Sequence, residues 1–352
     1  MSGRFKKGSG DLPPSLDGCP HLELAMGERL WQELLQPGNA WWSRLQGVNQ
    51  QLLVAYGLPL PSLRLDCDRS LDSCAYRFRL AGGPWEQGLL YPGRWFATGN
   101  SDSVSLLMGE WAQEPVYGLE GRWIPDSRAE GARQLGCHLL GPEALLVGHV
   151  CDRLENRLHW CLSVDWLKQR LTHLGLTSPG VGFAQALRCM LEERVSIGPL
   201  ADLVDAYQSV PRDAGRRLRA MRLALGPRLT TPWLNEQGQL VHVTLSESTS
   251  KRLRRELARP DGPESWFLGM ALGQLQAELH WSQHEHGEAV LVVAGNLRRD
   301  LFELLPFDLR RTPVLAFDEI PPDVEMLAAS VVGSRLHPLA PSWPRLRWEN
   351  SV

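Results

Sequence analysis

Apolar and polar residues recur with two different periods along this chain, and the period changes in blocks. Trp41, Leu45, Val48 and Leu52 are spaced four, three and four apart, which predicts a helix from Asn39 to Gly57 with one buried face. Gly57 suits its C-terminal cap, where a left-handed residue is needed. Leu22 to Met26 predicts a first strand. Leu63 to Cys67 and Ala75 to Leu80 alternate, and Tyr76, Phe78 and Leu80 share one face. Ala81-Gly82-Gly83-Pro84 reads as a turn, with Trp85 to Leu90 as the partner strand. Tyr91-Pro92-Gly93 breaks the pattern, and Asn100 to Ser105 is polar enough for an exposed loop.

Ser127-Arg128-Ala129-Glu130 fits a capping box opening a short helix that Gly136 ends. Cys137 to Leu140 predicts a strand. Pro142 suits a first helical turn, and the helix it opens is expected to run to about Cys161. From Thr177 to Gly226 the period is helical throughout. Phe183, Leu187, Met190 and Leu191 form one stripe; Leu200, Leu203, Val204 and Tyr207 form the next, with Ser196 as its expected cap. Strands are predicted at Leu240–Leu245, Ala289–Ala294 and Pro313–Phe317 with helices between them, an order that implies βαβ crossovers. The pattern as a whole predicts an α/β protein of several parts. Residues 1–20 are rich in Gly, Pro and Ser and read as a linker.

Composition narrows this only a little. At about 150 residues per domain, 352 residues predict two to three domains. A hydrophobic share of 43% excludes a disordered chain, and a net charge of -3 gives no global pull toward nucleic acid or anionic lipid. No run of 18 apolar residues occurs, so no membrane span is expected within this stretch, and Met1 to Gly10 lacks the apolar core of a signal peptide. Seven cysteines, an odd number without a C-x-x-C pair, suit reduced thiols packed as small apolar residues.

Candidate chemistry is sparse. His280, His284 and His286 have partial metal-ligand spacing but no evident third ligand, so a solvated helix end competes with trace metal capture. Leu291 to Asn296 leads a strand into a helix with one glycine, far short of a phosphate-binding fingerprint, and no G-x-S-x-G occurs. No cofactor is expected. Two basic stretches, Arg212, Arg216, Arg217, Arg219 and Arg222, then Lys251, Arg252, Arg254, Arg255 and Arg259, suit either a solvated helix face or a protein contact. Base-stacking aromatics are not interleaved in them, which argues against nucleic acid. Glu114-Pro115-Val116-Tyr117-Gly118-Leu119, with Trp123 soon after, joins a carboxylate, a rigid turn and large aromatics, the composition of a protein-binding hot spot or of buried turn packing.

Six segments in order resemble one family: Leu22-Glu23-Leu24-Ala25-Met26-Gly27, Tyr91-Pro92-Gly93-Arg94-Trp95, Glu114 to Leu119, Trp123-Ile124, Arg194-Val195-Ser196-Ile197, and Asp318-Glu319-Ile320-Pro321-Pro322-Asp323-Val324-Glu325. Together these resemble the FHIPEP export-gate family of type III secretion injectisomes and flagella. The resemblance implies the cytoplasmic half of a protein whose N-terminal half spans the bacterial inner membrane. It implies an α/β first subdomain (21–92 and 142–161), a small inserted α+β second (93–141), an all-helical third (162–226) and an α/β fourth (227–335), with 336–352 as a tail. It implies no enzyme activity but a nonameric ring that docks secretion chaperones, chaperone–effector complexes, a gatekeeper and the stalk of the export ATPase. The family's chaperone-docking motif aligns with Glu114, Tyr117 and Gly148, and the cleft is expected to be lined around them by Pro115, Gly118, Leu119, Trp123 and His149. Lateral contacts of the ring are expected from the third subdomain, at Arg194, Asp202, Arg216, Arg217 and Arg219. Gly148-His149 stands where the flagellar pattern has Thr-His, and Glu114 where it has Asp, which favours an injectisome member.

Overall fold

The alternating stretches near the N-terminus form a mixed sheet in the computed structural model. Its strands β1 (His21–Met26), β2 (Ser62–Cys67), β3 (Ala75–Leu80) and β4 (Glu86–Leu89) lie in the order β2-β1-β3-β4. β1 runs parallel to β2 and antiparallel to β3, which pairs antiparallel with β4. A second, antiparallel sheet is built within 94–140 from β5 (Arg94–Thr98), β6 (Glu110–Gln113), β7 (Glu120–Pro125) and β8 (His138–Leu140), in the order β6-β7-β5-β8. The third consists of β9 (Gln239–Leu245), β10 (Leu291–Val293), β11 (Val314–Ala316) and β12 (Glu325–Val332). Its order is β11-β10-β9-β12 and every pair in it is parallel, as βαβ crossovers require. The structure describes residues 20–333 apart from 37, 212, 260–264, 288 and 307–308. The expected tail, all of the expected linker but Pro20, and Arg212 therefore lie outside the described residues.

The chain divides into two units, Met1–Met221 and Arg222–Val352. The first holds the first two sheets with α1 (Glu28–Leu34), α2 (Trp41–Tyr56), α3 (Ser101–Ser105), α4 (Ala129–Gln134), α5 (Pro142–Asn156), α6 (Val164–His173), α7 (Val181–Glu192) and α8 (Leu200–Gln208). α9 (Ala214–Leu225) runs through the division. The second unit adds α10 (Pro227–Thr230), α11 (Glu247–Leu257), α12 (Ser265–His286) and α13 (Arg298–Leu304) around the third sheet. The predicted stripes of α2, α7 and α8 are all buried. Gly57 caps α2 at φ +72°, and Pro142 opens α5. Among the described residues no helix is long and apolar enough to cross a membrane.

Four expectations change. Asn100 to Ser105 is not an open loop: Asn100 accepts the Asp102 N–H and caps α3. The capping box at Ser127 does not form, because a 3-10 turn over Asp126–Arg128 comes first and α4 starts without a side-chain cap. Ser196 does not cap α8, which begins only after Pro199. The reason is a close approach: Ile197 N–H donates to Tyr56 O (2.9 Å), and Gly198 presses on Gly57, where a Cβ would stand 2.4 Å from the Gly198 Cα. The long helix expected to reach Cys161 stops at Asn156, and a 3-10 turn then buries both Leu158 and Trp160.

Arg222 overturns part of the basic-face reading. It is 1% exposed, and its guanidinium grips Glu319 through Nε–Oε1 (2.6 Å) and Nη2–Oε2 (2.9 Å) while donating to Val314 O (3.3 Å). Arg298 reaches the same carboxylate (3.6 Å), which also accepts the Ala316 N–H (2.9 Å). A sequence read as solvated charge thus supplies a buried ion cluster, and Glu319 of the Asp318–Glu325 motif is its centre. Removing one partner from a buried pair strands the other. Glu319→Ala is therefore expected to destabilise the second unit by about 3–5 kcal/mol in denaturant titration, whereas replacing Arg222, Arg298 and Glu319 together with apolar residues of similar size is expected to restore most of that loss.

Candidate functional site

The turn between β6 and β7 is organised by a carboxylate. Glu114 is 6% exposed. Its side chain accepts the backbone N–H groups of Val116 (2.9 Å) and Tyr117, and its main chain exchanges hydrogen bonds with Leu119 (3.0 Å) and Gly118 (3.1 Å). Gly118 takes φ +65°, a left-handed position that closes the turn without strain. Glu114 is thus occupied with holding the loop rather than presented as a recognition charge. What the loop presents is Tyr117, 71% exposed, and Leu119 beside it.

Beneath this turn a cleft of about 640 Å³ opens between β4 and β6, lined by Glu114, Pro115 and Trp123 among others. Its apolar lining comes from both sheets and from α5: Tyr76, Leu90, Tyr91, Phe96, Trp123 and Leu145. Trp123 is buried, not displayed, and stands edge-on to Tyr91 (5.3 Å) and Phe96 (5.5 Å). At the mouth Glu110 accepts the Tyr91 hydroxyl (3.0 Å) and Arg94 (3.4 Å). Burial, then the Glu110 carboxylate, raises the Tyr91 pKa, so the phenol stays protonated and donating. Arg122 stacks on Trp111 (4.3 Å), a rim indole exposed to solvent.

Gly148 and His149 lie in the middle of α5, not at its start, and they face differently. Gly148 is exposed, with open space where a Cβ would be. His149 is buried against Tyr76 and Phe78, with Nδ1 2.7 Å from the Tyr76 hydroxyl. Burial, and after it Arg153, pushes its pKa below the ordinary 6.5, while burial and then Glu114 push Tyr76 up. Both are therefore neutral groups: Tyr76 in the wall of the cleft and His149 packed behind it. Of the eight residues expected in the site, the structure brings three to the cleft wall, sets Tyr117, Gly118 and Leu119 on the turn, and leaves Gly148 and His149 out of the lining. Sequence reasoning missed Tyr91, Arg94, Glu110 and Trp111 as site residues. Tyr91 and Arg94 were visible within a family-like segment, but nothing local tied them to Glu110.

The residues expected at subunit contacts are dispersed over α8, α9 and the α7–α8 link. Arg194 sits at φ +58° and donates to Asn156 Oδ1 (2.8 Å). Asp202 is exposed in the first turn of α8. Arg217 is half-buried, stacked on Tyr207 (4.3 Å) and donating to Val210 O (3.3 Å), so it is held within the unit. Arg216 and Arg219 are exposed. His280, His284 and His286 all face solvent at the end of α12.

Comparisons with known proteins converge. A sequence model of the FHIPEP family matches residues 14–325. The flagellar biosynthesis protein FlhA of Bacillus subtilis is 24% identical over 314 residues, covering 82% of this chain and 46% of the relative. FlhA of Helicobacter pylori is 21% identical over 334 residues, covering 88% and 45%. The chain thus spans about half the length of the curated relatives it matches. Among solved structures, the CdsV protein of Chlamydia pneumoniae superposes with a TM-score of 0.72 at 13% identity, covering 88% of this chain and 97% of that one. The nonameric EPEC SctV-C gives 0.65 at 14%, covering 90% and 99%. The fold is that of these secretion-apparatus domains.

Two stability measurements test the geometry around α5. Because His149 binds its proton more weakly folded than unfolded, stability is expected to fall as pH drops below about 6.5 and to hold above it. A pH series of thermal melts checks this, and His149→Gln is expected to flatten the slope. Gly148→Ala meets no neighbour and is expected to gain about 0.5–1 kcal/mol.

Proposed function

This chain belongs to the FHIPEP family, and from that premise we propose that it is the part of a type III secretion export gate that receives secretion chaperones and their cargo. The observation that carries the reading is the aromatic cleft of the first unit with a rigid, tyrosine-bearing turn at its rim. Apolar concavity with a few polar groups is what a docking surface needs. The turn is already held by Glu114 and Gly118, so little ordering entropy is lost when Tyr117 is covered. Tyr117 is the anchor, Leu119 extends its apolar contact, and Glu114 acts indirectly by fixing the loop. Gly148 belongs to the adjoining exposed surface of α5, and the hydroxyl missing there sets partner preference apart from the flagellar pattern.

We read the chain as the four subdomains expected above, working at the cytoplasmic face of the bacterial inner membrane. Gatekeeper and ATPase-stalk binding belong to the same proposal; CdsV itself has been solved with CdsO. Copies join in a closed ring through the helical third subdomain; EPEC SctV-C has been solved as a nonamer. Arg216, Arg219 and Asp202 are the exposed members of that contact, and Arg194 and Arg217 shape it from inside.

The direct test is binding of a cognate secretion chaperone. Tyr117→Ala is expected to lose about 1–3 kcal/mol of binding with the fold intact by circular dichroism, and an unchanged affinity rejects the assignment. For the ring, Arg216→Glu with Arg219→Glu is expected to abolish closed particles in electron micrographs. Intact rings would remove those residues from the interface.

A further inference from the structure

Both long walls of the cleft are sheet edges. β4 ends the first sheet and β6 ends the second, and among the described residues neither has a strand on its far side. Bonded and non-bonded positions alternate along an antiparallel pair. Leu90 N–H donates to Cys74 O (2.9 Å), and the register continues Ala75 with Leu89, Tyr76 with Gly88 and Arg77 with Gln87. The main-chain groups of Gln87 and Leu89 therefore point away from β3, into the gap. The same count from Glu114 N–H to Leu119 O turns those of Trp111 and Gln113 away from β7. All four residues line the cleft.

Proteins commonly blunt such edges with lysine, proline or a bulge. β4 reads Glu-Gln-Gly-Leu and β6 reads Glu-Trp-Ala-Gln, with neither residue present. β4 carries Gly88 at its centre, where the Tyr76 side chain stands 2.6 Å from the place of a Cβ, so the strand adds no side chain of its own there. Leu89 is 53% exposed beside it. The charges flanking the gap are already paired: Glu86 with Arg153 (3.5 Å) and Arg157 (3.2 Å), Glu110 with Arg94 (3.4 Å). An occupant has no charge to neutralise, but it has amides to pair and aromatics to cover.

Resting on the docking reading, we infer that β4 accepts an extended, uncharged segment of the docked chaperone as a fifth strand of the first sheet, with apolar side chains at alternate positions turned to Tyr91 and Trp123. Main-chain bonds supply the affinity and the alternate pockets the selectivity. Four strand residues match a segment about 13 Å long.

The test uses the full chain and a purified secretion chaperone of the same system, free of cargo, as probe. Backbone amides of Gln87 and Leu89 are expected to exchange with deuterium at least tenfold more slowly in the complex. Gln87→Pro removes a donor that faces the gap and leaves the β3 ladder alone; it is expected to weaken binding about three- to tenfold, and Gln87→Ala by less than twofold. Should Tyr117→Ala weaken binding while those amides exchange unchanged and Gln87→Pro binds normally, docking stands and strand addition falls. Equal losses for Gln87→Pro and Gln87→Ala reject main-chain pairing in favour of a side-chain contact. No effect from any of the three substitutions, with unchanged exchange, removes both the docking site and the added strand.

Discussion

The geometry of the first unit hangs on the hydroxyl of Tyr76. That side chain is fully buried on β3, stacked on Phe78, with its oxygen 2.7 Å from Nδ1 of His149 on α5. On the other side it lies so close to β4 that a Cβ at Gly88 would stand 2.6 Å from it. One polar atom therefore registers a strand, its neighbour and a helix against each other. A buried hydroxyl without a partner costs about 1–3 kcal/mol, so alternatives in which β4 drifts or α5 rotates are disfavoured together. The wall of the cleft stays where this contact puts it.

The second unit uses a different device for the same end. Two arginines share one carboxylate inside it, and that carboxylate also holds the Ala316 N–H. Such clusters add less net stability than a hydrocarbon core of equal volume, but they tolerate few alternative arrangements. The motif around Glu319 thereby gains a physical explanation: its glutamate receives both arginines, and the proline pair that follows leads the chain toward β12.

Much of this architecture was legible in the chain. Alternation at Tyr76, Phe78 and Leu80 and the stripes of α2, α7 and α8 are strong because each residue reports on its own burial. The segments that escaped are those whose partners are remote. Glu110–Gln113 is short and mostly exposed, so neither period marks it as a strand. Arg222 looks like its solvated neighbours because Glu319 is 97 residues away. Glu114 has the composition of a recognition charge, and only the turn geometry shows that its oxygens are used by Val116 and Tyr117. In the site, likewise, residue types were readable and directions were not: His149 and Gly148 are adjacent in sequence, yet one faces the core and the other solvent.

Among the described residues β4 has no strand on its outer side, and such an edge behaves differently from a pocket. Main-chain groups repeat identically every second residue, so an edge has a period but no origin. Side chains alone fix where along it a neighbour comes to rest, and β4 supplies few, with glycine at its centre. A chain lying against such an edge meets equivalent hydrogen-bonding positions at steps of roughly 7 Å. On β4 only Gln87 and Leu89 offer such positions, a single step apart, so the aromatic lining at Tyr91 and Trp123 decides which of the two registers a neighbour takes.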